Sequence, residues 1–497
     1  MNKAQLPVLI LLIFLSTAVI IALLKNKKKK VHTIVLAATG LALTFSLVLL
    51  IYVLEEGSFY YNFGNWNSKI GIEFFIGEYA SIFTFALILI AGLILIFSLK
   101  DLDHEVADNK IGNYYTLVML LVFSMIGMIF TNDLFNMYVF MEILSLTSCG
   151  IISIKNTKET TMATFKYLML GAIGSISILL GIAMLYMVTG QLNMTATNQT
   201  ISLIWQEYPR NLLISLSFIL TGLGLKAAIF PLHVWLPDAH SNAPSPSSAL
   251  LSGLVLKIYA FAMVKILFRV IGIDIIKAIT INNYLAYFAV LSIIMGSVFA
   301  IGQKDIKRLL AYSSVSQIGY VFLGIGLATE AGLSASLYHI IAHAMMKTAL
   351  FLSAGAIIYQ TGIRDVREMD GIGYRMPITM ATFTIAALGM IGIPGIKGFM
   401  SKWYLGLASF NAGKPIFIIF LLASSFLNAI YFLPIIISAY LKECDYCPNV
   451  MTPDLIPFSM KLPLLTLSFL CIVTGLFPNM IMNVVQKALP SIISFVP

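Results

Sequence analysis

The stretch Lys226-Ala-Ala-Ile-Phe-Pro231-Leu-His233-Val-Trp-Leu-Pro237-Asp238 breaks an apolar run in the middle of this chain. The apolar run that leads into it, 212–230, has the composition of a membrane helix apart from Lys226. A cation at the bilayer centre costs about 2.5–3.5 kcal/mol on insertion scales, so such a residue faces a cavity or a partner. The prolines free backbone groups that only protein or water can satisfy there. The stretch therefore predicts a broken transmembrane helix with a buried charge.

Composition places that helix in a polytopic membrane protein. Hydrophobic residues make up 59% of the 497 residues and charged residues only 11%, which is more apolar surface than a soluble core absorbs. The predicted fold class is all-α, because a helix of about 20 apolar residues crosses a bilayer core roughly 30 Å thick. Fourteen apolar windows are predicted to span the membrane: 5–24, 31–54, 78–99, 112–131, 133–154, 165–188, 211–231, 246–268, 283–302, 309–328, 334–358, 378–407, 415–440 and 461–482.

A second interrupted window runs from Gly389 through Gly392, Pro394 and Gly398 to Lys402. Counted from the fourth and the ninth window, each break falls in the fourth helix of a five-helix block. Paired breaks at corresponding positions indicate two inverted repeats around a path at mid-membrane. We therefore predict four segments: an N-terminal three-helix segment at 1–111, a first five-helix repeat at 112–272, a second five-helix repeat at 273–441, and a C-terminal loop and helix at 442–497.

Topology accounts for the formal net charge of +9. A lysine-rich run at 25–30 follows the first window, so this connection is predicted to be cytoplasmic and the N-terminus to be outside. With an even number of spans both termini face outside, and the predicted location is the cell membrane. No nucleic-acid partner is expected. Alternation of the spans places the later basic residues on the cytoplasmic side: Lys155, Lys158, Lys304, Lys307, Arg308, Arg364, Arg367, Arg375, Lys442 and Lys461.

Glu142 lies in the middle of the window 133–154 and is predicted to pair with Lys226. Burial disfavours either charge alone, whereas a partner of opposite sign favours both. Separating such a pair changes the proton affinity of both groups, so the pair can switch; the alternative is a static ion pair that fixes helix packing. Lys257 is the next predicted station, with snorkelling to the interface as its alternative. Water around it would be held by nearby serines, namely Ser247, Ser248 and Ser252.

The window 334–358 carries His339, His343 and Lys347 at four-residue intervals, which places them on one helical stripe. The stripe rises about 12 Å at roughly 1.5 Å per residue, and histidine suits proton relay because its ordinary pKa is near 6.5. His343 and Lys347 are the predicted relay members. His339 is predicted either to assist the path or to be a hydrogen-bonded packing residue, and metal binding by the two histidines is the alternative interpretation. Lys402 would end the row.

Further polar residues are candidates for holding water or gating the path: Ser313, Ser316, Gln317, His233, Asp238 and His339. The first three follow a charged helix start and lie where two half-channels would meet, whereas His233 and Asp238 belong to the first helix break. Cys444 and Cys447 have a spacing found in metal sites but no second pair nearby, so neither a metal nor another cofactor is expected in this chain.

Four strings of the chain stand out as a set: Asn132-Asp-Leu-Phe-Asn-Met-Tyr-Val-Phe-Met-Glu142, Lys226-Ala-Ala-Ile-Phe-Pro-Leu-His-Val-Trp-Leu-Pro-Asp-Ala-His240, Asp305-Ile-Lys-Arg-Leu-Leu-Ala-Tyr-Ser-Ser-Val-Ser-Gln-Ile-Gly319 and Gly398-Phe-Met-Ser-Lys402. Together they resemble the antiporter-like subunits shared by respiratory complex I, membrane-bound hydrogenases and multisubunit Mrp-type cation/proton antiporters. The resemblance covers about residues 112 to 440.

The resemblance implies roles for five residues. Glu142 and Lys226 would form the switchable pair, and Lys257, His343 and Lys402 would continue the path. Some complex I members of this size carry a glutamate at the last position and a histidine at position 317 of this chain. The resemblance therefore implies no individual complex I subunit.

On this resemblance, the chain is expected to translocate protons as a subunit of a redox-driven complex of the complex I or hydrogenase type. The stretches 311–319 and 339–347 favour that group, whereas Lys402 and the chain length agree equally well with the alternative, the D-type subunit of an Mrp-type Na+/H+ antiporter. Expected partners are other membrane subunits, with peripheral iron–sulfur or hydrogenase subunits in the first case and transport of Na+ besides H+ in the second. The chain itself would perform no bond chemistry. A stand-alone solute carrier and a structural membrane anchor are minor alternatives.

Overall fold

The computed structural model describes residues 3–24, 27–66, 71–442 and 455–493. Most of these residues are helical, which confirms the predicted all-α membrane fold. Lys25 of the lysine-rich run, and Cys444 with Cys447, lie outside the described residues.

The first half of the chain forms twelve α-helices in its described residues. They are α1 Leu6–Leu24, α2 Lys28–Glu56, α3 Glu78–Glu105, α4 Ile111–Phe130, α5 Leu134–Ser153, α6 Lys158–Thr189, α7 Met194–Ile204, α8 Pro209–Lys226, α9 Leu236–Asn242, α10 Ser245–Leu250, α11 Leu256–Val264 and α12 Ile273–Ala278. Wide π-helical turns at Leu251–Val255 and Lys265–Ile271 flank α11. One-turn 3₁₀ segments occur at Lys3–Gln5, Phe63–Asn65 and Asp108–Lys110.

The second half forms nine more α-helices in the part that the structure describes. They are α13 Ile281–Ile301, α14 Ile306–Gly326, α15 Glu330–Thr361, α16 Ile372–Arg375, α17 Pro377–Ile391, α18 Lys397–Asn411, α19 Ile416–Leu441, α20 Phe458–Leu476 and α21 Asn479–Ile493. A 3₁₀ turn lies at Val366–Glu368. The segment 442–497 thus holds two described helices, α20 and α21, where the sequence indicated one.

Eleven of the described helices are long and apolar enough to cross a membrane. They are α1 to α6, α13, α14, α15, α19 and α20. The other three predicted spans fall on shorter or interrupted helices: α8, the run from α10 through α11, and α17 with α18. Each of these three contains or borders a break or a wide turn. The count of fourteen spans therefore stays a prediction.

One face of the bundle carries a small hairpin that the sequence did not predict. Strand β1 (Phe59–Asn62) pairs antiparallel with β2 (Glu73–Ile76) in the connection between α2 and α3. The carboxylate of Glu73 accepts hydrogen bonds from the amides of Asn132, at 2.8 Å, and Asn193, at 2.9 Å. The connections that follow α2, α4 and α6 therefore meet at this face, which we call the hairpin face.

The opposite face gathers the basic connections. Ion pairs join Arg308 to Asp238 at 2.7 Å and Arg364 to Asp305 at 2.9 Å. Further pairs at this face are Lys28–Asp103, Lys155–Glu105 and Lys442–Asp370. These contacts bring together connections that the topology prediction placed on one side of the membrane. We call this the lysine-rich face; its cytoplasmic position and the outside location of the N-terminus stay predictions.

Both predicted helix breaks are present. Helix α8 ends at Lys226, and the indole Nε1 of Trp235 donates to the carbonyl of Leu225 at 2.9 Å, so a carbonyl at the break is satisfied within the protein. Helix α17 ends at Ile391 and α18 begins at Lys397.

Helix α15 lies at the centre, because its most apolar 18-residue stretch is 100% buried, against 33% for that of α2. The second break lies beside this central helix, since α15 contacts both α17 and α18.

Candidate functional site

The predicted pair of Glu142 and Lys226 is brought together by α5 and α8. Lys226 Nζ lies 3.4 Å from Glu142 Oε1 and 2.6 Å from the hydroxyl of Ser145. The Ser175 hydroxyl, from α6, donates to the same carboxylate. The side chain of Lys226 is 1% exposed and that of Glu142 is 33% exposed. The pair therefore has a buried cationic end and an anionic end at the outer surface of the bundle.

Ser145 connects this pair to the next helix. Its hydroxyl lies 3.1 Å from the hydroxyl of Tyr259, which is two residues after Lys257 on α11. Neither bridging residue was predicted from the sequence. The signal for Ser145 was its position three residues after Glu142, which places the two on the same helical face.

Lys257 is fully buried, so the snorkelling alternative is wrong. Its Nζ donates to the carbonyl of Ser252, within the wide turn that precedes α11. The hydroxyl of Ser252 lies 2.7 Å from that of Ser314 on α14. The other two serines predicted near Lys257 bond elsewhere: Ser247 donates to Tyr114 and Ile151, and Ser248 to His240 and Pro244.

The stripe on α15 is buried along its whole length. Lys347 Nζ donates to the carbonyl of Leu310 at 2.8 Å and to the hydroxyl of Ser313. The rings of His343 and His339 stack with centroids 5.7 Å apart. Both ring nitrogens of His343 are buried without a hydrogen-bond partner among the described residues. Polar atoms buried in this way mark a place where a bound water or a transferred proton would be accommodated.

His339 faces the second helix break. Its Nδ1 lies 2.9 Å from the hydroxyl of Ser401, one residue before Lys402. The described residues contain no group of three or more histidine, cysteine, aspartate or glutamate side chains that could hold a metal ion. Among the described residues, no third ligand of these types joins His339 and His343, as the metal-binding alternative would require.

Lys402, on α18, places its ammonium group at the C-terminal end of α17. Its Nζ lies 2.9 Å from the carbonyls of Met390 and Ile391 and 2.9 Å from the hydroxyl of Ser425. The helix break leaves these carbonyls without helical partners, and a cation at a helix C-terminus is favoured by the helix dipole. A groove of about 490 Å³ adjoins the lysine at the outside of the bundle. Lys402, like Glu142, therefore lies near the outer edge.

Ser316 belongs to a second polar cluster that sequence analysis missed. Its hydroxyl lies 2.9 Å from that of Ser297, which donates to Asn428 Oδ1 at 3.1 Å. Asn428 Nδ2 donates in turn to the Met390 carbonyl at 3.0 Å, the oxygen that also accepts from Lys402. Both amide atoms of Gln317, one residue from Ser316, are buried without a partner among the described residues. The cluster joins α13, α14 and α19 to the second break.

The two candidates of the first break lie away from this row. His233 packs among aromatic rings, with centroids 5.8 Å from Phe299 and 5.9 Å from Tyr312. Asp238 is held at the lysine-rich face by Lys166 at 2.6 Å and Arg308 at 2.7 Å. A gating role for His233 or Asp238 stays a prediction.

One more buried cation was missed. Lys265, two turns after Lys257, donates to the carbonyls of Met128, Ile129 and Thr131 at the end of α4. The lysine therefore serves as a C-terminal cap for that helix. No spacing rule predicts such a contact, because its partners lie more than a hundred residues earlier.

Two broken helices around a buried row of ionisable side chains define an antiporter-like membrane protein. The chain belongs to the NADH:quinone oxidoreductase/Mrp antiporter transmembrane family, whose model matches residues 131–428. It is 36% identical to the N subunit of the NADH-quinone oxidoreductase of Desulforudis audaxviator, over 98% of this chain and 99% of that protein. It is 28% identical to the D subunit of the Na+/H+ antiporter of Alkalihalophilus pseudofirmus, over 89% of this chain and 87% of that protein.

Solved structures agree with this membership. A chain of the membrane-bound sulfane sulfur reductase, an archaeal respiratory membrane complex, superposes with a TM-score of 0.90 at 29% identity, over 99% of this chain and 98% of that chain. A chain of the Mrp complex from Dietzia sp. DQ12-45-1b gives the same TM-score of 0.90 at 22% identity, over 100% and 98%. The second likeness shows the shared fold.

Proposed function

We propose that this chain translocates protons along the row Glu142, Lys226, Lys257, His343, Lys347 and Lys402, as a membrane subunit of a redox-driven complex. The observation that carries the proposal is the buried row itself, which begins at an ion pair on one edge of the bundle and ends at Lys402 near another. Charged groups inside a membrane are costly, so a series of them indicates an ion path.

The internal contacts support transfer across the bundle. Ser145 and Tyr259 join the Glu142–Lys226 pair to α11. The Ser252–Ser314 contact joins α11 to α14, whose Ser313 contacts Lys347. Hydroxyl groups can both donate and accept, so they can pass protons between amines that only donate when charged.

The exposure of Glu142 supports a multisubunit assembly. The carboxylate lies in the middle of a span, yet its side chain is 33% exposed at the surface of this chain. A carboxylate facing lipid is costly, whereas one covered by a neighbouring membrane protein keeps a polar environment. We therefore propose that another membrane subunit covers this edge of α5, in the cell membrane.

The driving energy must come from a partner. Moving one elementary charge against the membrane potential requires about 2.3 kcal/mol per 100 mV. We propose that iron–sulfur or other redox centres reside on partner subunits, which supply this energy, and that this chain holds no cofactor. The lysine-rich face would be cytoplasmic and the N-terminus outside.

The test is ion transport by the whole complex in sealed membrane vesicles. Lys226→Ala is expected to lower proton transport by about 10²-fold or more, because a positioned proton-transfer group contributes that much. Lys277→Ala is the matched control, since Lys277 is an exposed lysine that does not belong to the row. Unchanged transport in an assembled Lys226→Ala complex would disprove the proposed path.

A second candidate function is that of the D-type subunit in an Mrp-type Na+/H+ antiporter. The 28% identity to a Na+/H+ antiporter relative over 89% of this chain favours it. Mass spectrometry of the intact complex, purified with this chain in mild detergent, separates the two. Redox subunits among the partners support the first function, whereas only membrane subunits with a larger homologue support the second.

A further inference from the structure

A second group of charges lies where the lysine-rich face meets the interior of the bundle. Glu105, at the end of α3, pairs with Lys155 and lies 4.0 Å from Lys307 Nζ. Ser245 donates to the same carboxylate from its backbone nitrogen, at 3.2 Å, and from its hydroxyl, at 2.8 Å. Asp101, one turn earlier on α3, is 1% exposed, and its Oδ2 atom has no partner among the described residues. We call these residues the α3 charge cluster.

Lys307 is the inner member of the α3 charge cluster. The topology prediction placed Lys307 in a connection on the cytoplasmic side, but its side chain is buried, at 2% exposure. Its Nζ also donates to the carbonyl of Ala243, at 3.1 Å, beside α9. Leu310, whose carbonyl accepts from Lys347, is three residues further along α14, which is about 4.5 Å along the helix axis. The cluster and the row therefore approach each other at α14.

His240, on α9, lies where they approach. It is 0% exposed, and both of its ring nitrogens lack a hydrogen-bond partner in the part of the chain that the structure describes. The main-chain carbonyl of His240 accepts from Ser248 at 2.8 Å, and Lys307 donates to the carbonyl of Ala243, three residues after His240. The imidazole of His240 contacts the ring of Phe351, one turn after Lys347, with centroids 5.2 Å apart. A buried imidazole normally has at least one hydrogen-bond partner, so the packing around His240 does not explain why a histidine lies here.

We infer that His240 passes protons between the α3 charge cluster and the central row, and so provides the connection of the row to the lysine-rich face, which we call the branch. This inference rests on the proposed function. The neutral imidazole takes a proton at one ring nitrogen from the cluster, and the imidazolium releases the proton of its other nitrogen to a neutral lysine of the row. One proton enters the ring and one leaves it, so the charge balances. A histidine is suited to this step because its two nitrogens can be protonated separately.

The outer end of the branch reaches water. Lys28 contacts Asp103 at 2.5 Å and Asp108 at 3.1 Å, and the Asp108 side chain is 83% exposed. Asp103 lies two residues from both Asp101 and Glu105 on α3. Glu105 and its partner Lys155 are themselves 14% and 20% exposed, so the α3 charge cluster can exchange protons with water at this face.

The test compares two substitutions of His240 in vesicles that contain the whole complex. His240→Gln keeps the polarity but cannot carry a proton, and is expected to slow proton transport by about 10²-fold. His240→Glu can carry one, and is expected to recover at least about tenfold of that loss with an altered pH profile. Wild-type transport by His240→Gln, or equal rates for both variants in fully assembled complexes, would overturn the inference.

Two further variants make the result decisive. Asp101→Asn removes the proton site at the other end of the branch, so an assembled Asp101→Asn complex with wild-type transport also overturns the inference, even if the His240 variants fail to assemble. His104→Gln, at an exposed histidine on α3, is the matched control. Lys226→Ala in the same vesicles separates the two proposals. If this variant does not slow proton transport, the proposed row itself is contradicted. If it slows transport and the His240 variants do not, only the branch is contradicted.

Discussion

Lys226 lies closer to the hydroxyl of Ser145, at 2.6 Å, than to the carboxylate of Glu142, at 3.4 Å. The serine hydroxyl also lies 3.1 Å from that of Tyr259. Ser145 is therefore the shared partner of the first lysine and of the helix that carries the second. A lysine held by a neutral hydroxyl can leave its carboxylate without losing every polar contact.

We expect Ser145→Ala to slow proton transport by about tenfold, because a hydrogen bond to a charged group contributes roughly 1.5–3 kcal/mol and part of it is replaced by water. Transport rates in vesicles with the native complex measure the effect. Thr147→Val is the control, since the Thr147 hydroxyl bonds only within α5 among the residues that the structure describes. Equal rates for both variants would remove Ser145 from the path.

Asn428 is expected to matter both for stability and for the end of the row. It accepts from Ser297 and from Tyr431, at 2.8 Å, and donates to Met390 at 3.0 Å. Asn428→Leu leaves these buried groups unpaired, at a cost of about 1–3 kcal/mol for a buried polar group. The midpoint temperature of thermal unfolding of the purified complex is expected to fall, and proton transport is expected to be slower. An unchanged midpoint would mean that water replaces the amide.

The second helix break requires close packing of two glycines. A Cβ atom on Gly398 would overlap the carbonyl of Gly389, whereas one on Gly406 of the same helix meets nothing within 4 Å. Gly398→Ala is therefore expected to destabilise the protein by about 1–3 kcal/mol through overpacking. Gly406→Ala is the matched control, and comparison of the two unfolding midpoints checks the prediction. Similar midpoints would show that α17 and α18 can move apart freely.

Lys265 is predicted to be structural. Lys265→Met removes a charged donor from the Met128, Ile129 and Thr131 carbonyls, and the expected loss of stability is about 1.5–3 kcal/mol. Transport per assembled complex should change little. Lys277→Met serves as the exposed control for removal of a charge. A complex that is stable but inactive would place Lys265 in the ion path instead.

The sequence predicted the parts of the site that a single helix encodes. Charges inside apolar windows revealed Glu142, Lys226 and Lys257, and the four-residue spacing placed His343 and Lys347 on one face. It could not reveal Asn428 or Lys265, because their partners lie on distant helices. A serine or asparagine in an apolar span has the same local pattern whether it bonds to its own helix or to a neighbour.

The β-hairpin escaped prediction for a related reason. Its strands contain four residues each and lie in a connection whose composition is typical of a loop. Contacts such as Glu73 with Asn132 and Asn193 stabilise it. An isolated two-stranded hairpin is only marginally stable, so this one depends on tertiary contacts that no local pattern specifies.

Wide turns lie on both sides of α11, the short helix that carries Lys257. The direction of the Lys257 side chain can therefore change while the neighbouring helices stay in place. A π turn contains one residue more than an α turn, and each residue rotates the helix by about 100°. If one of these turns migrates along the chain past Lys257, the residues that it passes turn by one register while the outer ends of the helix stay fixed. The side chain of Lys257 would then change direction by about 100°. This change exchanges backbone hydrogen bonds within the helix and moves no whole helix.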